Sequence, residues 1–527
     1  MQVLFRSLRA RPFELALATL IGGLAVLYLV YAEKFVPPWD PSSMVILGQS
    51  LVQHGRLQFL DVNNVLVGPY FNPHGFDIRA PLDPAPYSTF PPGFSFMLAP
   101  LYVLTNGLGW LYVIPPILSI ASLGAAAYIG YTLSDKWGSI LAVLLIGTSH
   151  VFMTFATSLW SDGPSLALLL MGIALYIAAA RSNRLTFAIC SGLALGGFIL
   201  FKFVNVVFAV LIPAHHIVIG QNNRRWPIAG TIGLGVLLGS VGMLAYNASA
   251  YGSPLANAYQ PWGRRLYDFP LYSLRYLFFK SPFPWNDWSS NAIVSGMFRD
   301  MSIGSVLFLM GMVIDRRNPS RLLLALVAVT NVLLYALSVF TPRQFVNMRY
   351  LLPALAAAYL LAADVLARVM ARFLGREARV FVFGLVLVIC AGRVWWNCLP
   401  DLAVRNEGTA NAVRATIATA RELPSGSVVL AYNLADTFIL YGNLSVLNYR
   451  RVESPDVNTR NQVVAQAIVR LLCADKPVYL VQDDQLLFNS LYPYLDHRFV
   501  LLPMATPLKS YRITLSPAQR CQGSSVN

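Results

Sequence analysis

The chain has 527 residues, 56% of them hydrophobic and 12% charged, and a formal net charge of +15. A soluble protein carries roughly a quarter charged residues, and no soluble core absorbs this much apolar surface, so the composition points to a polytopic membrane protein. The positive charge does not indicate nucleic acid, because the arginines cluster in short gaps between apolar runs, the pattern of cytoplasmic loops.

Arg6, Arg9 and Arg11 place the N-terminus in the cytoplasm, and the first apolar run, Leu15–Ala32, reads as an uncleaved span because no A-x-A site follows it. Span 2 (about Leu108–Leu133) returns to the gap Ser134-Asp135-Lys136, span 3 (Trp137–Thr157) goes out, and span 4 (Gly163–Ala180) comes back to Arg181 and Arg184. Span 5 (Leu185–Phe201) goes out, span 6 (Phe203–Gly220) returns to Arg224 and Arg225, and span 7 (Trp226–Ala250) goes out. Three weaker runs, Met301–Ile314, Tyr350–Met370 (interrupted by Asp364) and Val380–Gly392, join the stronger Leu322–Phe340 as spans 8 to 11. The expected fold is an α-helical polytopic membrane protein of about 11 spans, and every dense arginine cluster then falls on one side of the membrane.

The long outer loop, residues 33–107, opens with FVPPWDPSSMVILGQSLVQHG. Asp40 with Pro41 behind it reads as an N-cap and N1 pair starting an interfacial helix, since Met44, Leu47 and Leu51 form one apolar stripe. A turn-rich stretch and a second apolar piece, Phe94–Leu104, complete a loop long enough to carry function.

An odd span count leaves residues 396–527 outside as a small extracytoplasmic α/β domain, distinct from a transmembrane domain over residues 1–395. Helical patterns at Ala410–Glu422 and Gln462–Cys473 alternate there with the β-rich runs SVVLAY, LSVLNY, PVYLV, FVLLP and SYRITL. Cys473 and Cys521 are either a disulfide in an oxidising compartment or two separate thiols.

The remaining boundary charges share one face under this topology. Asp40 follows span 1, Asp162 opens span 4, Lys202 lies between spans 5 and 6, and Arg343 and Arg349 lie between spans 9 and 10. Charges at a membrane boundary without an anchoring role are functional candidates. Four ordered pieces, WDPSSMVILGQSLVQHG, YSTFPPGFSFMLAPLY, SDGPSLALLLMGIALY with GLALGGFILFKF, and MRYLLPALAAAYLLA, resemble the integral-membrane GT-C glycosyltransferases, relatives of protein O-mannosyltransferases and lipid A aminoarabinose transferases.

The resemblance implies an inverting enzyme of a bacterial cytoplasmic (inner) membrane that takes a sugar from a polyprenyl-phosphate donor. Its acceptor is a glycan, lipid or protein at the outer face, and membrane lipids are its surroundings. Asp40 is then the base for the acceptor hydroxyl. Lys202, Arg349 and Arg343 bind the departing phosphate, and Asp162 orients Lys202 or a substrate hydroxyl. Tyr87 and His54 are loop residues for substrate binding.

Such enzymes often carry an acidic pair in the first loop. Here Pro41 follows Asp40, and the nearest other acids are Asp61, Asp77 and Asp83. A divalent metal (Mg or Mn) held with His54 and His74 therefore stays open, beside the plainer reading of solvated loop histidines. The contrasting reading of the chain is a transporter or flippase of lipid-linked sugars, although it shows no internal repeat.

Overall fold

A computed structural model describes residues 12–59, 61–68, 71–77, 87–105, 107–219, 225–256, 300–301, 304–313, 318–336, 345–449, 456–517 and 521. The first half forms α1 (Pro12–Val30), α2 (Asp40–His54), α3 (Asn63–Val67), β1 (Phe76–Asp77), β2 (Tyr87–Ser88), α4 (Gly93–Thr105), α5 (Ile114–Gly147) and α6 (His150–Ala156). Next come α7 (Asp162–Ser182), α8 (Leu185–Ile199), α9 (Asn205–Ile219), α10 (Arg225–Tyr251), α11 (Gly304–Val313), α12 (Pro319–Ala336), α13 (Leu352–Phe373) and α14 (Arg376–Arg393). The chain ends with α15 (Leu399–Glu422), β3 (Val428–Ala431), α16 (Ala435–Gly442), β4 (Ser445–Asn448), α17 (Val457–Cys473), β5 (Val478–Val481), α18 (Gln485–Asp496), β6 (Phe499–Met504) and β7 (Ser510–Leu515). These elements make two compact units, residues 1–32 with 112–404 and residues 33–111 with 405–527.

In the helical unit each expected span has a helix in its described residues. By length and apolar composition, six helices among the described residues are candidates to cross a membrane: Pro12–Val30, Leu111–Gly147, Asp162–Ser182, Arg225–Tyr251, Met348–Phe373 and Arg376–Glu422. That is fewer than the expected count of about 11. Several expected spans are short apolar helices of 10–17 residues, such as Leu185–Ile199 and Asn205–Ile219. Two others share α5, which breaks at the non-helical Ser134 (φ −148°, ψ 28°) and Asp135 (φ 62°, ψ −154°). The backbones of Gly130 and Gly138 meet across that break, whereas eight residues of straight helix would hold them about 12 Å apart. The chain therefore doubles back at the expected gap.

Asp364, 1% exposed in the middle of α13, has a similar explanation. It accepts from Arg321 Nε at 2.7 Å, from Arg368 at 2.7 Å and from the Ser134 hydroxyl. The carboxylate that interrupts an apolar run thus ties α12 and α13 to the turn inside α5. A second buried acid, Asp300, accepts from Arg393 at 2.5 Å, Tyr359 at 2.9 Å and Ser149 at 2.6 Å. Between α8 and α10, the backbones of Gly196 and Gly239 touch, a small-residue contact that lets two helices pack without side chains between them.

The second unit is built on a five-stranded sheet in the order β4-β3-β5-β7-β6. Strands β3, β4 and β5 are parallel, and β6 and β7 complete the sheet antiparallel. All four residues of β3 and of β5 are buried, as expected for strands covered on both faces. All five β-rich runs of the sequence are strands, and Cys473 and Cys521 are paired, with Cα atoms 5.6 Å apart.

The 33–111 segment folds with this sheet rather than lying apart from it. Val67 and Phe71, 3% and 0% exposed, belong to the same core as Val428, Leu447, Ile468 and Leu480. Ile46 and Leu47 of α2 pack against Ile439 and Leu440 of α16, and Asn448 Nδ2 donates to the Asn72 carbonyl at 3.0 Å. The loop thus contributes two apolar side chains to one face of the sheet.

Truncating Phe71 to alanine should therefore destabilise the sheet by about 3–5 kcal/mol, read as earlier proteolysis of residues 405–527 on heating. Asp483, at the end of β5, offers a pH test. Burial pushes its pKa up to about 6 against the opposing effect of the Leu434 and Tyr432 amides, and neighbouring Asp484 adds to the rise. The folded form then holds a proton that the unfolded chain has released, so this residue's contribution to stability falls as pH rises from about 4 to about 6. Melting curves of wild type and Asp483→Asn between pH 4 and 7 should show this slope in the wild type and its loss in the variant.

Candidate functional site

Two clusters of candidate residues emerge, one in each unit. In the helical unit, Asp162 is the first residue of α7, next to Ser161 at the cap position. Lys202 lies in the short connection between α8 and α9, and the two side chains form an ion pair. Asp162 is nearly sealed, with its side chain 3% exposed, while that of Lys202 is 21% exposed. Asn205 continues the polar line by donating to Ser165 Oγ at 3.2 Å and to the Phe198 carbonyl at 2.7 Å.

Arg349 enters the same recess from the 3₁₀ turn Phe345–Leu351 that leads into α13. Its guanidinium lies 4.3 Å from the centre of the Trp160 ring and 4.9 Å from that of Tyr350, whose hydroxyl accepts from it at 2.9 Å. Lys202 Nζ sits 4.7 Å from the centre of the Tyr350 ring, and Tyr350 stacks on Tyr335 at 5.1 Å. Asn331 fixes the turn, donating to the Tyr350 carbonyl at 3.2 Å and accepting from the Ala354 amide.

Among the described residues the lining thus holds two cations, Lys202 and Arg349, and the carboxylate of Asp162. Cation–π contacts steady a cation at about 0.5–2 kcal/mol without cancelling its charge. Arg343 lies outside the described residues.

In the other unit, Asp40 stands one position later than its expected cap role. Trp39 occupies the cap position, with φ 82° and no side-chain cap, and Asp40 and Pro41 are the first two helical residues of α2. A positive φ is uncommon for a bulky residue and marks a conformation imposed by its surroundings. Asp40 Oδ1 lies 3.2 Å from His74 Nε2, with the two side chains 19% and 18% exposed. The His74 ring is flanked by Trp39 at 5.5 Å and Phe90 at 6.2 Å.

His54 does not join this group. It is exposed at the far end of α2, fourteen positions from Asp40 or about 21 Å of helix. Tyr87 lies in β2, paired with Asp77 in the two-stranded sheet. Asp61 is engaged by the Asn63 amide at 2.8 Å. Among the described residues no three His, Cys, Asp or Glu side chains gather as a divalent cation would need. Among the described residues, Asp40 and His74 thus come together without His54.

No protein-family model matches the sequence, and no curated protein matches it in sequence. Solved structures do match. ArnT from Cupriavidus metallidurans bound to undecaprenyl phosphate superposes with a TM-score of 0.57 at 14% identity, over 96% of this chain and 99% of its own. This chain has the GT-C fold. The archaeal oligosaccharyltransferase AglB from Archaeoglobus fulgidus, solved with an inhibitory peptide and a dolichol-phosphate, gives a TM-score of 0.57 at 10% identity, over 96% of this chain and 75% of its own. The arabinofuranosyltransferase AftD from Mycobacteria gives 0.52 at 13% identity, over 95% of this chain and 40% of its own.

Within this GT-C fold, Asp162, Lys202 and Arg349, named as candidates from the sequence, line one recess, while their aromatic setting, Trp160 above all, was missed. His74 was named only as a metal candidate. The one signal that pointed to these partners was the density of aromatics beside charges in WDP, SLWSD and MRY.

The Asp162–Lys202 pair makes its own test. Removing one partner of a buried pair leaves the other uncompensated, at about 3–5 kcal/mol. Asp162→Asn should lower the melting temperature of the detergent-solubilised protein, and the double change Asp162→Asn with Lys202→Met should recover most of the loss.

Proposed function

We propose that this protein is a membrane glycosyltransferase that moves a sugar from a polyprenyl-phosphate donor to an acceptor hydroxyl with inversion at the anomeric carbon. The observation that carries the reading is the recess that Lys202 and Arg349 share with Asp162, in a fold shared with transferases solved on undecaprenyl phosphate and dolichol-phosphate. A polyprenyl phosphate offers an anionic headgroup for the two cations to bind, and an apolar tail suited to the surrounding helices.

In the transfer step the acceptor oxygen forms a bond to the anomeric carbon as the bond from that carbon to the phosphate oxygen breaks. The electron pair leaves with the phosphate, where Lys202 and Arg349 stabilise the growing charge. Asp40 takes the acceptor proton, a contribution of about 10²–10⁴-fold. Asp162 keeps Lys202 in place. We assign the about 11 spans of the sequence topology and a bacterial cytoplasmic membrane, with transfer on its outer face and the α/β region exposed there. The sugar is a hexose or pentose, and the acceptor a glycan, lipid or protein. Nothing observed favours a transporter of lipid-linked sugars.

Purified protein should be assayed for transfer or hydrolysis with a panel of radiolabelled undecaprenyl-phosphate hexoses and pentoses. Asp40→Asn is expected to lose at least about 100-fold in kcat, while Lys202→Met is expected to weaken both donor binding and turnover. Wild-type rates in Asp40→Asn would remove Asp40 as the base. Donor binding unchanged in a Lys202→Met/Arg349→Met double variant would remove the phosphate site.

A further inference from the structure

Asp436 stands in the first turn of α16, 2% exposed, beyond the transmembrane region and outside every motif of the sequence reading. Its two oxygens are divided between two segments. Oδ2 accepts from Ser42 Oγ at 3.0 Å, and Oδ1 accepts from the His74 backbone N–H at 2.7 Å. Ser42 lies two residues after Asp40 on α2, and the His74 ring is the group that meets Asp40 at 3.2 Å. Ser43 closes the circuit by donating its hydroxyl to the His74 carbonyl. One buried carboxylate therefore holds both members of the Asp40–His74 pair from the opposite side.

We propose that Asp436 of the α/β region is a positioning residue for transfer: through Ser42 and His74 it fixes where the Asp40 carboxylate points. This inference rests on Asp40 being the base. Three features support it beyond the hydrogen bonds themselves. Trp39 adopts its positive φ immediately before Asp40, a conformation that persists only when the surroundings over-determine it. The side chains behind Ser42, Ile46 and Leu47, dock on Ile439 and Leu440 of the same helix that carries Asp436. Finally, a carboxylate in the first turn of a helix is favoured as an anion, which suits an acceptor of two hydrogen bonds. The start of α2 and the His74 backbone thus take their positions from α16, and the α/β region becomes part of the catalytic apparatus rather than an appendage. A reactive group must sit within a few tenths of an ångström of its working position, and second contacts of this kind are what hold it there.

The test uses the full-length protein in nanodiscs with Asp436→Asn and Ser42→Ala, read by amide hydrogen exchange and by kinetics on whichever undecaprenyl-phosphate sugar of the panel is active. Expected are at least tenfold faster exchange at the His74 amide and in the first turn of α2, with unchanged exchange in β3 and β5. The kcat should fall at least tenfold in Asp436→Asn, and by less in Ser42→Ala, at unchanged donor KM. Wild-type exchange at His74 and α2 in both variants overturns the proposal, even where no panel donor is active. Faster exchange with wild-type kcat overturns it too, since the contacts would then serve stability alone. If Asp436→Asn also opens β3 and β5, Ser42→Ala decides. A wild-type rate in Asp40→Asn defeats the assignment of the base, whereas a dead Asp40→Asn beside fully active Asp436→Asn and Ser42→Ala defeats only this inference.

Discussion

A charge set among apolar helices has to be neutralised where it stands, because neither lipid nor packed side chains can replace the water it has lost. The helical unit follows this constraint at three places. Asp364 is met by Arg321, Arg368 and Ser134, Asp300 by Arg393, Tyr359 and Ser149, and Asp162 by Lys202. Each set joins helices far apart in the chain, so the pairs act as cross-ties as well as compensations. Such ties add little net stability over apolar packing, but they penalise any arrangement that separates the partners. They specify which helix sits beside which. Arg349 lies against the faces of Trp160 and Tyr350 and donates to the Tyr350 hydroxyl. It shares its recess with Lys202 and Asp162, so three segments distant in the chain bring their charges to one place.

The second unit obeys a different constraint, the need of a small sheet for enough apolar volume on both faces. Val67 and Phe71 come from a turn-rich loop more than 350 residues from the strands they complete, the bond from Asn448 to Asn72 alone spanning 376. In the same loop, Ile46 and Leu47 of α2 pack on Ile439 and Leu440 of α16. The position of Asp40 is thus a consequence of core filling as much as of its own helix.

Periodicity and composition revealed the elements, and they did so for physical reasons. Uncharged runs bounded by arginines became helices, and the five β-rich runs became strands, because each carries its whole signal within ten to twenty residues. What local pattern could not show was partnership. His74 meets Asp436 across 362 positions and Ser42 meets it across 394, and no spacing rule links residues so far apart. The start of α2 shows the same limit on a smaller scale. Asp-Pro has the form of a cap followed by N1, yet Trp39 takes the cap position with a backbone its own preferences disfavour. The His74 ring, packed against Trp39 and 3.2 Å from Asp40, holds this turn in place of the local rule, and the helix start lies one residue earlier.

That shift bears on which carboxylate can act as a base. Asp162 and Asp40 both open helices beside aromatic residues, and the resemblance implied the base at Asp40 and an orienting role at Asp162. Asp162 has its side chain 3% exposed and bound to Lys202, so a proton arriving there would have to break the pair that compensates a buried cation. Its chemistry is to hold that cation still. Asp40, at the first helical position rather than the cap, is 19% exposed and lies 3.2 Å from the His74 imidazole. A carboxylate that must accept a proton and then pass it on needs both access and a partner of this kind. Of the two acids only Asp40 has them, and it has them because helix α2 begins one residue earlier than its sequence would have it.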